Sequence, residues 1–189
     1  KNDVVRITMQ IDKDTQALIN ERLKNNAPAL ESFTPIELRA LRSKMAETPK
    51  ELRVEISDVQ NLSIQGTLGQ IPIRKYSDNP RKDRVAPVII YFHGGGFVMG
   101  DLESHDLVCR HLCKKTKSTI IAVDYKLAPE HKFPAPVIDT KDAIIQIIKN
   151  SNEYNIDTNK VILCGDSAGG TLATIGAIMS RDKIVPKVH

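Results

Sequence analysis

The chain has 189 residues, of which 41% are hydrophobic and 26% charged, a composition that fits a folded protein of one or two domains and excludes a disordered segment. Its net charge of +4 comes from 27 Lys and Arg interspersed with 23 Asp and Glu, so the clustered basic stripe of a nucleic-acid-binding face is absent. The longest apolar runs, such as 86–92, fall far short of the ~20 residues of a membrane span. Three cysteines that cannot all pair, with no secretory signal pattern in the first thirty residues, fit a reducing, cytoplasmic setting.

In chain order, Thr15, Leu18, Ile19, Arg22 and Leu23 recur at helical spacing and predict a helix over 12–26 that ends before Pro28. Thr34-Pro35-Ile36-Glu37 has the form of a capping box with proline at the first helical position, so a second helix should run to about Glu47. From Arg53 the pattern changes. Val54, Ile56 and Val59, then Ile71, Ile73 and Tyr76, alternate with polar residues as two half-buried strands paired through the turn at 66–69. Residues 85–92 form a nearly continuous apolar run, the mark of a strand buried on both faces, and run straight into His93-Gly94-Gly95-Gly96. A helix over 104–117, a strand over 119–123, a helix over 137–150, a strand over 161–164 and a helix from 168 to about 180 complete the pattern. Such alternation implies an α/β fold with parallel pairing and right-handed crossovers.

Within the 104–117 helix, Lys114, Lys115 and Lys117 read as a solvated, dipole-compensating helix end. Cys109 and Cys113 share a face with Val108, Leu112 and Thr116 and read as small buried hydrophobes. A metal site built from His105, Cys109, His111 and Cys113 is the sharper alternative. Those residues spread over more than one helix face, and no second ligand cluster follows, so no metal is expected.

Gly165-Asp166-Ser167-Ala168-Gly169 matches G-x-S-x-G in the setting that motif requires, a strand ending at Cys164 and a helix starting near Ala168. So sharp a turn strains the backbone at the serine and leaves no room for side chains two residues to either side, hence Gly165 and Gly169. A phosphate-cradling turn is the alternative, but no Lys and Ser/Thr pair completes a Walker loop, and Asp166 would repel an anion. His93-Gly94-Gly95-Gly96 ends another buried strand 74 residues upstream of Ser167. Its N–H groups, with that of Ala168, make the donor set a tetrahedral oxyanion needs. His93 is expected to brace that loop rather than act as the base, which in such sites follows the nucleophile in sequence.

Three segments, His93-Gly-Gly-Gly-Phe-Val-Met-Gly-Asp101, Asp124-Tyr-Lys-Leu-Ala-Pro-Glu130 and Gly165-Asp-Ser-Ala-Gly-Gly170, resemble the hormone-sensitive-lipase family of esterases on the α/β-hydrolase fold. The resemblance spans nearly the whole chain and includes Thr34-Pro-Ile-Glu-Leu-Arg39, which is similar to that family's helical cap. It implies a mostly parallel sheet with helices on both faces, a helical cap over 1–52 and an α/β-hydrolase core over 53–189. It further implies a small-molecule ester substrate and no cofactor. Carried across, Ser167 is the nucleophile; Gly95, Gly96 and Ala168 are the oxyanion donors; His93, Gly94, Gly165, Asp166 and Gly169 support them. Lys126 stands where the family usually carries Arg, so whatever that residue anchors should be held less firmly.

The triad order of this fold is Ser, then Asp or Glu, then His, and after Ser167 only Asp182 and His189 remain. Both sit within or just beyond the helix leaving the elbow, from which neither reaches Ser167, and Pro186-Lys-Val-His189 resembles the start of the family's next strand. The sequence is therefore expected to be an incomplete core lacking its C-terminal part, inactive as it stands. The rival reading is a non-catalytic binding protein or receptor on the same fold. A homo-oligomer remains open.

Overall fold

A computed structural model describes residues 11–25, 28–29, 32–45, 54–78 and 85–189. The chain divides into two compact units, Lys1–Thr34 and Pro35–His189. In the first, α1 (Lys13–Lys24) starts where Asp12 accepts hydrogen bonds from the N–H groups of Asp14 and Thr15, an N-cap that satisfies two otherwise orphaned donors. In the second, α2 (Pro35–Met45) begins at the expected proline. The expected end at Glu47 and the change of character at Arg53 lie outside the described residues.

Five strands form one sheet in the order β1-β2-β4-β3-β5, from β1 (Asp58–Gly66), β2 (Gly69–Ser77), β3 (Ala86–Phe92), β4 (Thr119–Val123) and β5 (Ile156–Gly165). β3 pairs in parallel with β4 and β5, while β2 runs antiparallel to both β1 and β4, so four of the five strands point the same way. β1 and β2 meet in a two-residue hairpin in which Gly66 faces Gly69 across Thr67 and Leu68. The Thr67 N–H donates to Asp142 at 2.6 Å, tying that hairpin to α4 (Ala135–Lys149).

The sheet is covered on both faces. One layer gathers Ile71, Ile73, Val88, Ile90, Phe92, Ile121 and Val123 against Ile144 and Ile147 of α4 and Leu172 of α6 (Ala168–Arg181). The opposite layer gathers Tyr76, Ile89, Tyr91, Ile120 and Ala122 against Cys109 and Cys113 of α3 (Asp106–Thr116). Each fully buried Val or Ile removes apolar area worth ~1.5–3 kcal/mol from water.

Three expectations need correction. β2 is buried on both faces, not one, because Ile71 and Ile73 serve the α4 layer while Tyr76 and Arg74 serve the α3 layer. The cysteines of α3 are the small buried hydrophobes expected, with Cys113 pushed up to about 11 and Cys109 higher still by burial, but the company on their face differs. Val108 and Thr116 do not share that face and lie exposed. The last strand begins at Ile156, five residues earlier than the run at 161–164, because Ile156 already pairs with Ala86 before an irregularity passes over 157–160 and pairing resumes at Val161 opposite Val88. The Lys-rich end of α3 is solvated as expected, and Lys114 and Lys117 both reach Asp78, at 3.2 and 3.6 Å. Among the described residues no helix is long and apolar enough to cross a membrane.

Candidate active site

Ser167 sits between β5 and α6 with φ 50° and ψ −118°, a conformation that costs a non-glycine residue ~1–3 kcal/mol. The packing around it shows why the flanking residues are glycines. A Cβ on Gly165 would stand 2.5 Å from both the Gly169 and Phe92 carbonyl oxygens, and one on Gly169 would run into Phe92 O and lie 2.6 Å from His93 O. The first turn of α6 is thus pressed onto the carbonyl end of β3, beside the glycine turn that leaves it.

Asp166 joins the two segments. Its Oδ1 accepts from the Gly94 N–H at 2.9 Å and from the Tyr91 hydroxyl at 2.8 Å, and lies 3.3 Å from His105 Nε2. Burial pushes the Asp166 carboxyl up, but the Tyr91 hydroxyl, His105 and the Gly94 N–H outweigh it and hold it below the ordinary carboxylate range. His105 is lowered because its own burial outweighs the attraction of that carboxylate. Gly94 therefore spends its N–H on Asp166.

His93 is 2% exposed and sits at the root of the turn. Its Nδ1 lies 2.9 Å from Gly94 O, an acceptor only, so Nδ1 carries the proton. Tyr125 stacks on the ring at 4.3 Å and donates its hydroxyl to His93 O at 2.7 Å. Beyond it the chain turns through three consecutive left-handed residues, Gly95 (φ 131°), Gly96 (φ 63°) and Phe97 (φ 63°). Gly95 O closes the turn by accepting from Val98 and Met99 N–H at 3.1 and 2.9 Å. Among the described residues, no acceptor takes the N–H of Gly95, Gly96 or Ala168.

The two glycines differ in what alanine would cost. A Cβ on Gly96 meets open space and pays only the left-handed penalty of ~1–2 kcal/mol, whereas one on Gly95 collides with the Met99 carbonyl. Urea unfolding is expected to rank Gly95→Ala well below Gly96→Ala in stability. Equal stabilities would contradict the turn geometry.

His105, Cys109, His111 and Cys113 do not converge: His105 faces Asp166, the cysteines are buried and His111 is exposed. Among the described residues no group of three or more ligating side chains is placed to hold a metal. Asp182 pairs with Arg181 at the end of α6. His189 donates its N–H to Val161 O at 2.7 Å, four residues or ~13 Å down β5 from Gly165. No histidine among the described residues hydrogen-bonds the Ser167 hydroxyl. A cavity of about 420 Å³, lined by Arg39, Asp101, Asp124, Lys126, Glu130 and His131 among others, does not include Ser167. Within its lining Arg39 pairs with Glu130, whereas Lys126 pairs with Asp139 behind it.

The Lys126 substitution has a visible consequence. The Lys126 N–H and Nζ both reach Asp139 Oδ2, at 2.9 and 3.5 Å, and leave the fully buried Asp139 Oδ1 without a partner among the described residues. An arginine fork spans both carboxylate oxygens. Lys126→Arg is expected to raise stability by ~1 kcal/mol, read as a higher denaturant midpoint. No rise would show that Asp139 Oδ1 is satisfied in another way.

A strand, a strained serine and a helix, set beside a glycine turn at the same end of a largely parallel sheet, define the architecture of an α/β hydrolase. The chain belongs to the α/β-hydrolase fold family, whose family model matches residues 89–189. It is 37% identical over 152 residues to esterase LipI of Mycobacterium tuberculosis, covering 80% of this chain and 48% of that protein. It is 32% identical over 179 residues to an arylesterase of Saccharolobus solfataricus, covering 92% and 56%. Among solved structures, the hyperthermophilic esterase of the archaeon Pyrobaculum calidifontis superimposes with a TM-score of 0.85 at 35% identity, covering 95% of this chain and 57% of that one. The likeness to the hormone-sensitive-lipase group holds in these relatives, and the chain spans about half of their length.

Proposed function

We propose that this chain carries the nucleophile and the oxyanion donors of a serine carboxylic ester hydrolase. The observation that carries this reading is Ser167 held at φ 50° on the β5–α6 turn beside the glycine turn at 94–96. In the proposed mechanism the Ser167 oxygen attacks an ester carbonyl, the carbonyl oxygen becomes an oxyanion within reach of the Gly95, Gly96 and Ala168 N–H groups, and the alcohol departs to leave an acyl-enzyme that water hydrolyses. The proton of Ser167 must pass to a histidine oriented by a carboxylate. The described residues bring neither to the hydroxyl, so the 189 residues alone are expected to lack turnover. The reading requires no cofactor. Residues 1–52 are assigned to a helical cap by resemblance alone, and three free cysteines support a reducing compartment.

A second reading is a binding protein that keeps the elbow without the chemistry, because a fold does not by itself fix a function. Fluorophosphonate labelling followed by peptide mapping separates the two, carried out in a polypeptide that also supplies the segment following this one. An adduct on Ser167 supports the hydrolase, an adduct elsewhere overturns the assignment, and no adduct with a segment lacking Asp and His supports the binding protein.

A further inference from the structure

Four hydrogen bonds leave the Arg39 guanidinium of α2. Nε donates to Val98 O at 2.7 Å, Nη2 to Ala128 O at 2.8 Å and to Glu130 Oε2 at 2.7 Å, and Nη1 to Glu130 Oε1 at 2.9 Å. Two of these acceptors bear on the glycine turn. Val98 closes the turn through its N–H to Gly95 O, and the Ala128 N–H holds Phe97 O at 2.8 Å. Arg39 therefore grips both the turn and the residue that supports it from behind, while Asp166 holds the Gly94 N–H in front.

Three consecutive left-handed residues keep that conformation only where their surroundings over-determine it. An ion pair as exposed as Arg39–Glu130 adds little stability by itself, so its value lies in where it aims the guanidinium. The bidentate Glu130 pairing fixes the plane of the fork, leaving Nε and one Nη2 proton to point at two backbone carbonyls. The Arg39 hydrogen bonds hold the Glu130 carboxyl down to about 2, so the orienting charge is present throughout the working pH range.

We infer that Arg39, oriented by Glu130, is a positioning residue that fixes the turn presenting the Gly95 and Gly96 N–H groups and ties α2 mechanically to it. The role in catalysis rests on the hydrolase reading above, whereas the grip on the turn does not.

Hydrogen–deuterium exchange on the protein and on Arg39→Ala, Arg39→Lys and Glu130→Gln tests it. Peptides spanning 95–99 and 127–130 are expected to exchange at least tenfold faster in Arg39→Ala, with β3 and α6 peptides unchanged. Lysine should recover part of that protection, because it reaches one carbonyl but not two, and Glu130→Gln should fall between. Should Arg39→Ala fail to fold, Arg39→Lys decides, with a threefold or greater acceleration confined to the same peptides as the supporting result. Unchanged exchange at 95–99, or acceleration spread evenly over β3 and β5, overturns the proposal. These readouts involve no chemistry at Ser167, so a failure of fluorophosphonate labelling would count against the hydrolase reading alone.

Discussion

On the proposed acyl-enzyme mechanism, replacing Ser167 by alanine is expected to lower kcat by on the order of 10⁶ in an active form of the protein, because the nucleophile of such a mechanism has no substitute. Stability should change by less than ~0.5 kcal/mol, since the Ser167 hydroxyl has no hydrogen bond to a described residue and an alanine Cβ occupies the same place at φ 50°. Ser167→Gly sharpens the contrast. It is equally inactive, but glycine adopts positive φ without strain, so the variant should be more stable than the parent by ~1 kcal/mol. Turnover of p-nitrophenyl acetate and urea midpoints on the three proteins check both statements. Activity in Ser167→Ala within tenfold of the parent would remove Ser167 from the chemistry.

Local chemistry made much of this molecule legible. Continuous β-branched and aromatic runs announce β3 and β4 because strands covered on both faces have no polar side to show. Glycines at 165 and 169 announce the elbow because only they fit where two backbone segments nearly touch. What escaped is the polar cross-bracing. Arg39 meets Val98, Ala128 and Glu130 across 59 to 91 residues, and Asp166 meets Gly94 and Tyr91 across 72 and 75. A single side chain bonding to distant backbone leaves no period in the sequence. Phe97 escaped for a related reason: its left-handed backbone is imposed by the Ala128 N–H and by a side chain packed against the core, neither visible in a stretch that otherwise looks like the end of a flexible glycine loop. The Lys126 contact was half legible, since the departure from arginine signalled a weaker anchor without naming Asp139 as its target.

Gly169→Ala is expected to be the most damaging single methyl in the chain. Within a helix, alanine is normally favoured over glycine by ~1 kcal/mol, and Gly169 lies in the first turn of α6 with no left-handed requirement of its own. Here the added Cβ would enter the Phe92 carbonyl and approach the His93 carbonyl to 2.6 Å, and both are backbone atoms where β3 runs into the glycine turn. No side chain can rotate away, so either α6 lifts from β3 or the 93–96 turn shifts, and each breaks the contact between elbow and turn. A loss of ~4 kcal/mol or more is expected, enough to unfold a marginal domain. Gly170→Ala is the internal control, one residue further along the same turn. Its Cβ would meet Gly165 O at 3.3 Å, a tight contact that relaxes by tenths of an ångström, so the helix-propensity gain should nearly offset it. Circular dichroism and thermal melts of the two variants give the comparison. Similar midpoints for Gly169→Ala and Gly170→Ala would mean that α6 is not seated on the end of β3 as described, and the juxtaposition of Ser167 with the glycine turn would fall with it.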